Sequence, residues 1–409
     1  MAKFALRMIK YQCKCKNMSE AIKKNYYKLN KEEFDLYLSN LKNDPRSVKF
    51  FEWLKNNYFF ILDDEIVNKI LQLNKWQNKL DILYNGYSEE IKHFIKETLL
   101  IEEIRTTNAT ENIYSTRKDI FGLFNDVKSI KDNKVKSILQ AYKAIEKEPE
   151  NNSLESVREL YDIMMKDAYE SKDDIPDGKL FRKDIVDISD GIKNVHHGFY
   201  PETEIIKGMN DFLSVYSGLK TDIYQRVILS HFLFETVHPF YNGNGRMGRF
   251  LMSLQMYKEE KTIGSFVVAS SINVNKSKYY KALEKAREIH EFGYLNNYFL
   301  DMADIMLEGY QNLIKELTEK EKQMSDSINK LNDLKLTKTE KKMIEYLLKA
   351  SCYSVYGVNN TQIVEACNIS KRSVINILDK IREAGCLVDT KIGLYSYHKI
   401  DLSKQFYSK

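Results

Sequence analysis

The 409-residue chain is predicted to be mainly α-helical and divided into more than one domain. Three observations predict this. Only 5 prolines and 16 glycines interrupt the chain, so breaks in helical runs are few. Lys, Glu and Leu are abundant, and apolar residues recur at helical spacing through long stretches. Hydrophobic residues make up 43% and charged residues 30%, the balance of a water-soluble globular protein rather than a membrane or disordered one. The longest apolar patch, Tyr58-Phe59-Phe60-Ile61-Leu62, falls far short of the roughly 20 residues that span a bilayer. The opening residues carry no apolar stretch followed by a cleavage site. A cytoplasmic location with no membrane association is therefore expected. The five cysteines, at 13, 15, 352, 367 and 386, make no disulfide framework and fit a reducing compartment; Cys13-Lys14-Cys15 lacks a second pair and is read as incidental.

The elements follow in order. Residues 17–113 carry helical patterns: Phe34, Leu36, Tyr37 and Leu41, then Ile66, Ile70, Leu71 and Leu73, then Ile91, Phe94, Ile95, Thr98 and Leu99. An N-terminal helical region, 1–114, is expected from them. The last of these helices runs into 105–112, rich in weak helix formers, and Ser115 or Thr116 is the N-cap of the next. Short β-type runs at 180–188 and 194–200, around Ser189-Asp190-Gly191, read as a hairpin inside a core of 115–300. A charged run free of Pro and Gly forms a connecting helix within 301–336. In 337–409, helical patterns at 339–350, 361–367 and 370–384, with Ser370 as a cap, precede a small hairpin around Lys391-Ile392-Gly393. This succession resembles a winged helix-turn-helix. Residues 335–409 carry 13 Lys+Arg against 7 Asp+Glu, while the rest of the chain is close to neutral. Lys371, Arg372, Lys380 and Arg382 are therefore candidates to meet DNA phosphates, with a protein-docking or dimerisation module as the equal alternative.

The chemistry concentrates in His238-Pro239-Phe240-Tyr241-Asn242-Gly243-Asn244-Gly245-Arg246-Met247-Gly248-Arg249. Gly243 and Gly245 let the backbone bring N–H groups close to an anion. The segment 246–256 reads as a helix whose positive end faces the same place. Arg246 and Arg249, three residues apart, can grip phosphate oxygens in bidentate fashion. His238 is the side chain suited to take a proton near neutral pH. Together these point to phosphate chemistry.

At these residues the chain resembles the Fic (Fido) family, whose signature is HPFx(D/E/N)GNGRxxR. The resemblance implies a helical core with a β-hairpin flap, and transfer of AMP from ATP to a Tyr, Thr or Ser hydroxyl of a target protein or of the enzyme itself. It implies His238 as the base, and residues 242–249 as the ATP site, with Arg246 and Arg249 on the outer phosphates. Mg²⁺ is implied too. Most members place an acidic residue where this chain has Asn242, and an uncharged amide oxygen should hold the metal more weakly. Thr107-Asn108-Ala109-Thr110-Glu111-Asn112 matches the family's inhibitory (S/T)xxxE(G/N) motif, which implies that Glu111, with Thr107, occupies Arg249 and blocks productive ATP binding. The hairpin residues Val186, Asp187, Ile188 and Ser189 correspond to the flap that lays out the target segment. Tyr280, and secondarily Arg287, resemble the adenine contacts. A zinc reading of His196-His197, or of His231 with His238, is disfavoured by the spacing. A DNA-binding regulator with a nucleotide-sensing core, removal of AMP, transfer of another phosphate-bearing group, and a homodimer stay open at this point.

Overall fold

The structure, a computed structural model, describes residues 15, 17–49, 58–126, 133–145, 153–166, 168, 174–189, 194–218, 221–332 and 334–404. Cys13 and Lys14 lie outside the described residues, as do Asp190 and Gly191 of the expected hairpin turn. Helices α1 (Met18–Lys28) and α2 (Lys31–Lys42) lead to an antiparallel pair, β1 (Ser47–Lys49) and β2 (Phe59–Ile61). The helical pattern expected across 17–113 is thus interrupted. The aromatic and β-branched run at 58–61 favours an extended backbone, and the fold supplies its partners: the Asn296 side chain receives the Ile61 N–H at 2.9 Å and donates to its carbonyl at 2.7 Å.

Helix α3 (Asp64–Asn85) starts at an Asp63 cap, and α4 (Glu89–Thr110) follows. Thr116, not Ser115, caps α5 (Arg117–Phe124) by accepting from the Asp119 N–H at 3.1 Å. Next come α6 (Asn133–Ala144), α7 (Leu154–Met165) and the antiparallel pair β3 (Asp187–Ser189) and β4 (Asn194–His197), shorter than the sequence pattern suggested. Helices α8 (Glu202–Leu213), α9 (Ile223–Val237), α10 (Asn244–Glu260), α11 (Val268–Val274), α12 (Lys276–Arg287) and the 37-residue α13 (Asn296–Asn332) complete the middle of the chain. The end of the chain folds as α14 (Lys338–Tyr353), β5 (Val358–Asn359), α15 (Asn360–Cys367), α16 (Lys371–Glu383), β6 (Leu387–Ile392) and β7 (Tyr395–Ile400), with sheet order β5-β7-β6. Thr337, Asn359 and Ser370 cap the three helices through their side chains. The architecture is mainly helical, with small sheets.

Helix α9 is the central rod, buried at every residue from Ile223 to Val237 except Arg226. A helix apolar all round is stable only when enclosed, and α8, α10 and α13 pack against it. One buried cluster continues from Tyr58 to Ile400, across the boundaries expected at 114, 300 and 336. The one expected at 300 falls inside α13. The C-terminal unit packs on α4 and α5: Thr98 Oγ1 donates to the Tyr353 carbonyl at 2.8 Å, Lys349 pairs with Glu90 at 2.9 Å, and Phe121 sets its edge against Tyr356 and Tyr397. Among the described residues no helix is long and apolar enough to cross a membrane.

Two carboxyl groups of α4 face inward. Glu103, fully enclosed, accepts from the Ala269 and Ser270 N–H groups at the start of α11 (2.8 and 3.3 Å) and from Ser253. Glu97 accepts from Asn125 at 2.8 Å. Burial pushes each up to about 7, above the ordinary 4.5. A folded-state value above the unfolded one gives stability that is complete below pH 4.5 and lost as pH rises through about 7. The unfolding free energy of the parent in urea is therefore expected to fall by roughly 1–3 kcal/mol more between pH 5 and pH 8 than that of Glu103→Gln. An equal change with pH in the two proteins would count against this account of Glu103.

Candidate functional site

The site lies where α9 ends and α10 begins. The break between them is dictated by sequence: the residue before a proline is pushed out of the α region, so α9 stops at His238, ahead of Pro239. His238 takes a left-handed conformation (φ 53°, ψ 63°), its N–H closing on the Phe234 carbonyl at 2.9 Å. Its side chain is half-buried. The turn that follows is held from both sides. Phe240 stacks on Tyr161 at 3.5 Å, and the Asn244 side chain brackets the Phe240 backbone, accepting from its N–H at 3.0 Å and donating to its carbonyl at 2.8 Å. Tyr161 donates to the Asn242 carbonyl at 2.9 Å. Gly243, with φ 76°, turns the chain into α10, a conformation glycine adopts without steric cost.

Helix α10 presents its first turn to the last turn of α4. Arg249 is fully buried. Its Nη2 donates to Glu111 Oε1 at 2.7 Å and to the Thr107 carbonyl at 3.0 Å, and its Nε donates to Thr107 Oγ1 at 2.9 Å. Its Nη1 is buried with no hydrogen-bond partner among the described residues. Burial opposes the charge, but the attraction of Glu111 outweighs it and holds the guanidinium protonated. The Glu111 carboxylate also lies over the glycine turn: a Cβ on Gly245 would sit 2.2 Å from Glu111 Oε1 and 3.1 Å from Arg249 Nη1. The carboxylate, flat and negative, is seated against both the helix start and the arginine.

The other sequence-nominated residues divide. Tyr280 is brought to the site, 40% exposed, with its hydroxyl donating to the Thr110 carbonyl at 3.2 Å. The Lys276 ammonium lies 5.9 Å from its ring centre and donates to Asn112 Oδ1 at 3.0 Å. Arg246 is buried, with Nη2 3.4 Å from Asn242 Oδ1. Three residues of the string have their side-chain positions committed elsewhere in the fold. Met247 is in the core, Asn244 is committed to Phe240, and Gly248 abuts α9, where an added Cβ would meet Glu235 Oε1 at 2.7 Å and the His231 ring at 3.1 Å. Arg287 donates to Thr236 Oγ1 at 3.3 Å, on the far side of that contact. In the flap region, Val186 accepts from the Gly198 N–H at 3.0 Å and 187–189 form β3. The side chains of Asp187, Ile188 and Ser189 lie outside the described residues, as does that of His196. His231 is packed in α9, bonded through Nε2 to Tyr279 at 3.0 Å.

Asn242 offers Mg²⁺ little. Its Oδ1 already accepts from the Gly243 N–H at 2.6 Å and from Arg246 at 3.4 Å, which engages both lone pairs. Among the described residues no group of three or more His, Cys, Asp or Glu side chains converges to hold a metal ion. Among the described residues, the side chains around Asn242 do not make up a protein-held metal site.

Sequence reasoning missed Arg182, Tyr161 and Glu235. Arg182 is fully buried and donates through Nε to the His238 carbonyl at 2.9 Å, yet it lies 56 positions away in the chain and carries no local signal. Glu235 sits on α9 behind Gly248, and burial raises it to about 7. Its position on a wholly buried helix was the available clue, since an acidic residue there needs a reason.

Residues 151–256 match the model of the Fic/DOC family. The chain is 28% identical over 152 residues to a curated protein from Aquifex aeolicus (strain VF5) described as "Probable protein adenylyltransferase". That match covers 34% of this chain and 45% of the relative, so the chain spans about half the relative's length. Among solved structures, a Fic family protein from Desulfovibrio desulfuricans G20 superposes with a TM-score of 0.54 at 16% identity, over 83% of this chain and 96% of that one. This last likeness is one of fold.

The contact at Gly248 carries its own expectation. Gly248→Ala gains helix propensity of about 1 kcal/mol but forces a methyl against Glu235 and His231, and a net loss of about 1–3 kcal/mol in chemical denaturation is expected. A stabilised variant would show that α9 and α10 have room to separate.

Proposed function

We propose that this chain transfers AMP from ATP to a protein hydroxyl and that its own Glu111 restrains the reaction. The observation that carries the reading is the Glu111 carboxylate on Arg249 above Gly245, with Arg249 Nη1 left unpartnered among the described residues. A buried guanidinium with a donor unmet is costly, and a phosphate in that place would satisfy it. In this reading the first N–H groups of α10 and the guanidinium groups of Arg246 and Arg249 hold the triphosphate. His238 takes the proton from the acceptor hydroxyl as its oxygen attacks the α-phosphorus. The new O–P bond forms while the bond to the β-phosphate oxygen breaks, and pyrophosphate leaves. No step is assigned to a metal. Tyr280, at the edge of the site, offers the exposed aromatic face for the adenine. The flap backbone at 186–189 presents the target segment by main-chain pairing.

Restraint follows from competition. Glu111 side-chain exposure of 31%, against 0% for Arg249, lets the carboxylate leave while the arginine stays. As the C-cap of α4, with φ −91° and its N–H on the Asn108 carbonyl, Glu111 can become glycine without ending the helix elsewhere. Coupling of this kind is typically worth about 1–3 kcal/mol, or about 5–150-fold.

A DNA-binding regulator is the second reading, and its surface is thinner than the sequence suggested. Lys380 pairs with Glu340 and Arg382 with Asp379 and Asp389, so of the four nominated cations Lys371 and Arg372 remain the exposed ones outside these pairs.

The test incubates the protein, Glu111→Gly and Glu111→Gly/His238→Ala with ATP labelled at the α or the γ phosphorus. Label on protein is expected from the α position alone, at least about fivefold more in Glu111→Gly, and none in the double variant. Label from neither position, together with salt-dependent DNA binding, would favour the regulator. Loss of pre-attached AMP label instead would favour removal over transfer. In the Glu111→Gly background, Tyr280→Ala is expected to raise KM for ATP roughly tenfold with kcat little changed, the usual worth of stacking one base; an unaltered KM would place the adenine elsewhere.

A further inference from the structure

We infer that Arg182 is a positioning residue, setting the His238 backbone and the base of the flap at one fixed spacing through a single buried guanidinium. This rests on His238 being the base of the proposed transfer. The observations converge on one group. Arg182 is fully buried, its Nε donates to the His238 carbonyl at 2.9 Å, and its Nη1 donates to the Asp184 carbonyl at the flap's entry. Its own N–H donates to the Pro239 carbonyl at 3.2 Å. One side chain thus grips both strands of the junction. The returning flap segment closes over it at Gly198, where a Cβ would lie 2.3 Å from Arg182 Nη2 and 3.2 Å from His238 Cβ. Gly198 N–H then bonds the Val186 carbonyl at 3.0 Å, and Phe199 N–H bonds the Val237 carbonyl at 3.0 Å, which ties both arms of the flap to the end of α9. Tyr241 completes the joint, accepting from the Asp184 N–H at 3.1 Å and donating to Asp177 at 2.8 Å.

The chemistry explains why the residue is arginine. His238 is left-handed, a conformation that residues other than glycine hold only when their surroundings over-determine it. A cation at the carbonyl end of α9 is favoured by the helix dipole. The planar fork carries its donors on separate nitrogens in a rigid plane, which fixes the two carbonyls relative to each other in a way the rotatable point charge of an ammonium does not. Burial pulls the guanidinium down to about 10, so it stays charged through the neutral range. Because the acceptor hydroxyl arrives on the flap and the proton acceptor sits at the end of α9, the distance between them is set here. An error of about 1 Å in such an alignment costs on the order of 100-fold in rate.

The experiment compares Glu111→Gly with Glu111→Gly/Arg182→Lys and Glu111→Gly/Arg182→Ala, the last with and without added guanidinium ion. kcat for AMP transfer is expected to fall at least about tenfold in both variants with KM for ATP changed less than about twofold, and guanidinium is expected to restore part of the Arg182→Ala loss. The ¹⁵N resonances of the His238 imidazole, followed through a pH titration, are expected to shift in Arg182→Lys. Unchanged kcat and unchanged His238 resonances in a folded Arg182→Lys protein would overturn the inference, as would equal losses in kcat and in folded fraction with no rescue. Should Glu111→Gly transfer no AMP at all, the functional reading fails, and the His238 resonances alone then decide whether Arg182 positions this residue.

Discussion

Arg249 is the point on which the arrangement turns. A guanidinium enclosed on all sides is tolerable only if its charge is met, and here the answer comes from the last turn of α4, through Thr107 and Glu111. That requirement brings the C-terminal end of one helix to the N-terminal end of another. It places a carboxylate against the start of α10, where an anion is favoured by both the free N–H groups and the dipole. A buried ion pair of this kind adds little to stability compared with well-packed hydrocarbon.

The surroundings make the contact rigid on one side and yielding on the other. Behind Arg249, α9 and α10 close to within reach of a missing methyl at Gly248, so that side has no slack. Glu111, by contrast, is partly exposed at the tip of α4. The body of α4 is anchored by Glu103 on the start of α11 and by the C-terminal unit, whose Tyr353 and Lys349 meet its first half. The same helix therefore touches Arg249 at one end and the C-terminal unit at the other, with no loop between them to absorb strain.

His238 depends on a separate set of contacts. Its left-handed backbone is met by groups remote in sequence, Arg182 among them. The flap is registered to the same junction by Gly198, Phe199 and Tyr241. His238, the glycine turn and the β3–β4 hairpin are consequently tied into one piece, although each comes from a different segment of the chain.

How much of this was legible beforehand depends on how local each signal is. Helical periodicity, the caps at Thr116 and Ser370, the glycine turn at 243–245 and the cations spaced around it are written within a few residues of one another, and local rules suffice to read them. The strand at Phe59–Ile61 was not read from the helical pattern around it: it pairs with Ser47–Lys49, and the side chain that brackets Ile61, Asn296, is 235 positions away. Nor were the inward-facing roles of Asn244 and Gly248, since only the approach of Phe240 and of α9 decides which way those positions look. The chain by itself determined which groups could hold a phosphate and accept a proton. Only the tertiary structure decided that Glu111 meets Arg249 and that Arg182 meets His238, because pairs separated by 138 and 56 positions are joined by packing and not by any local pattern.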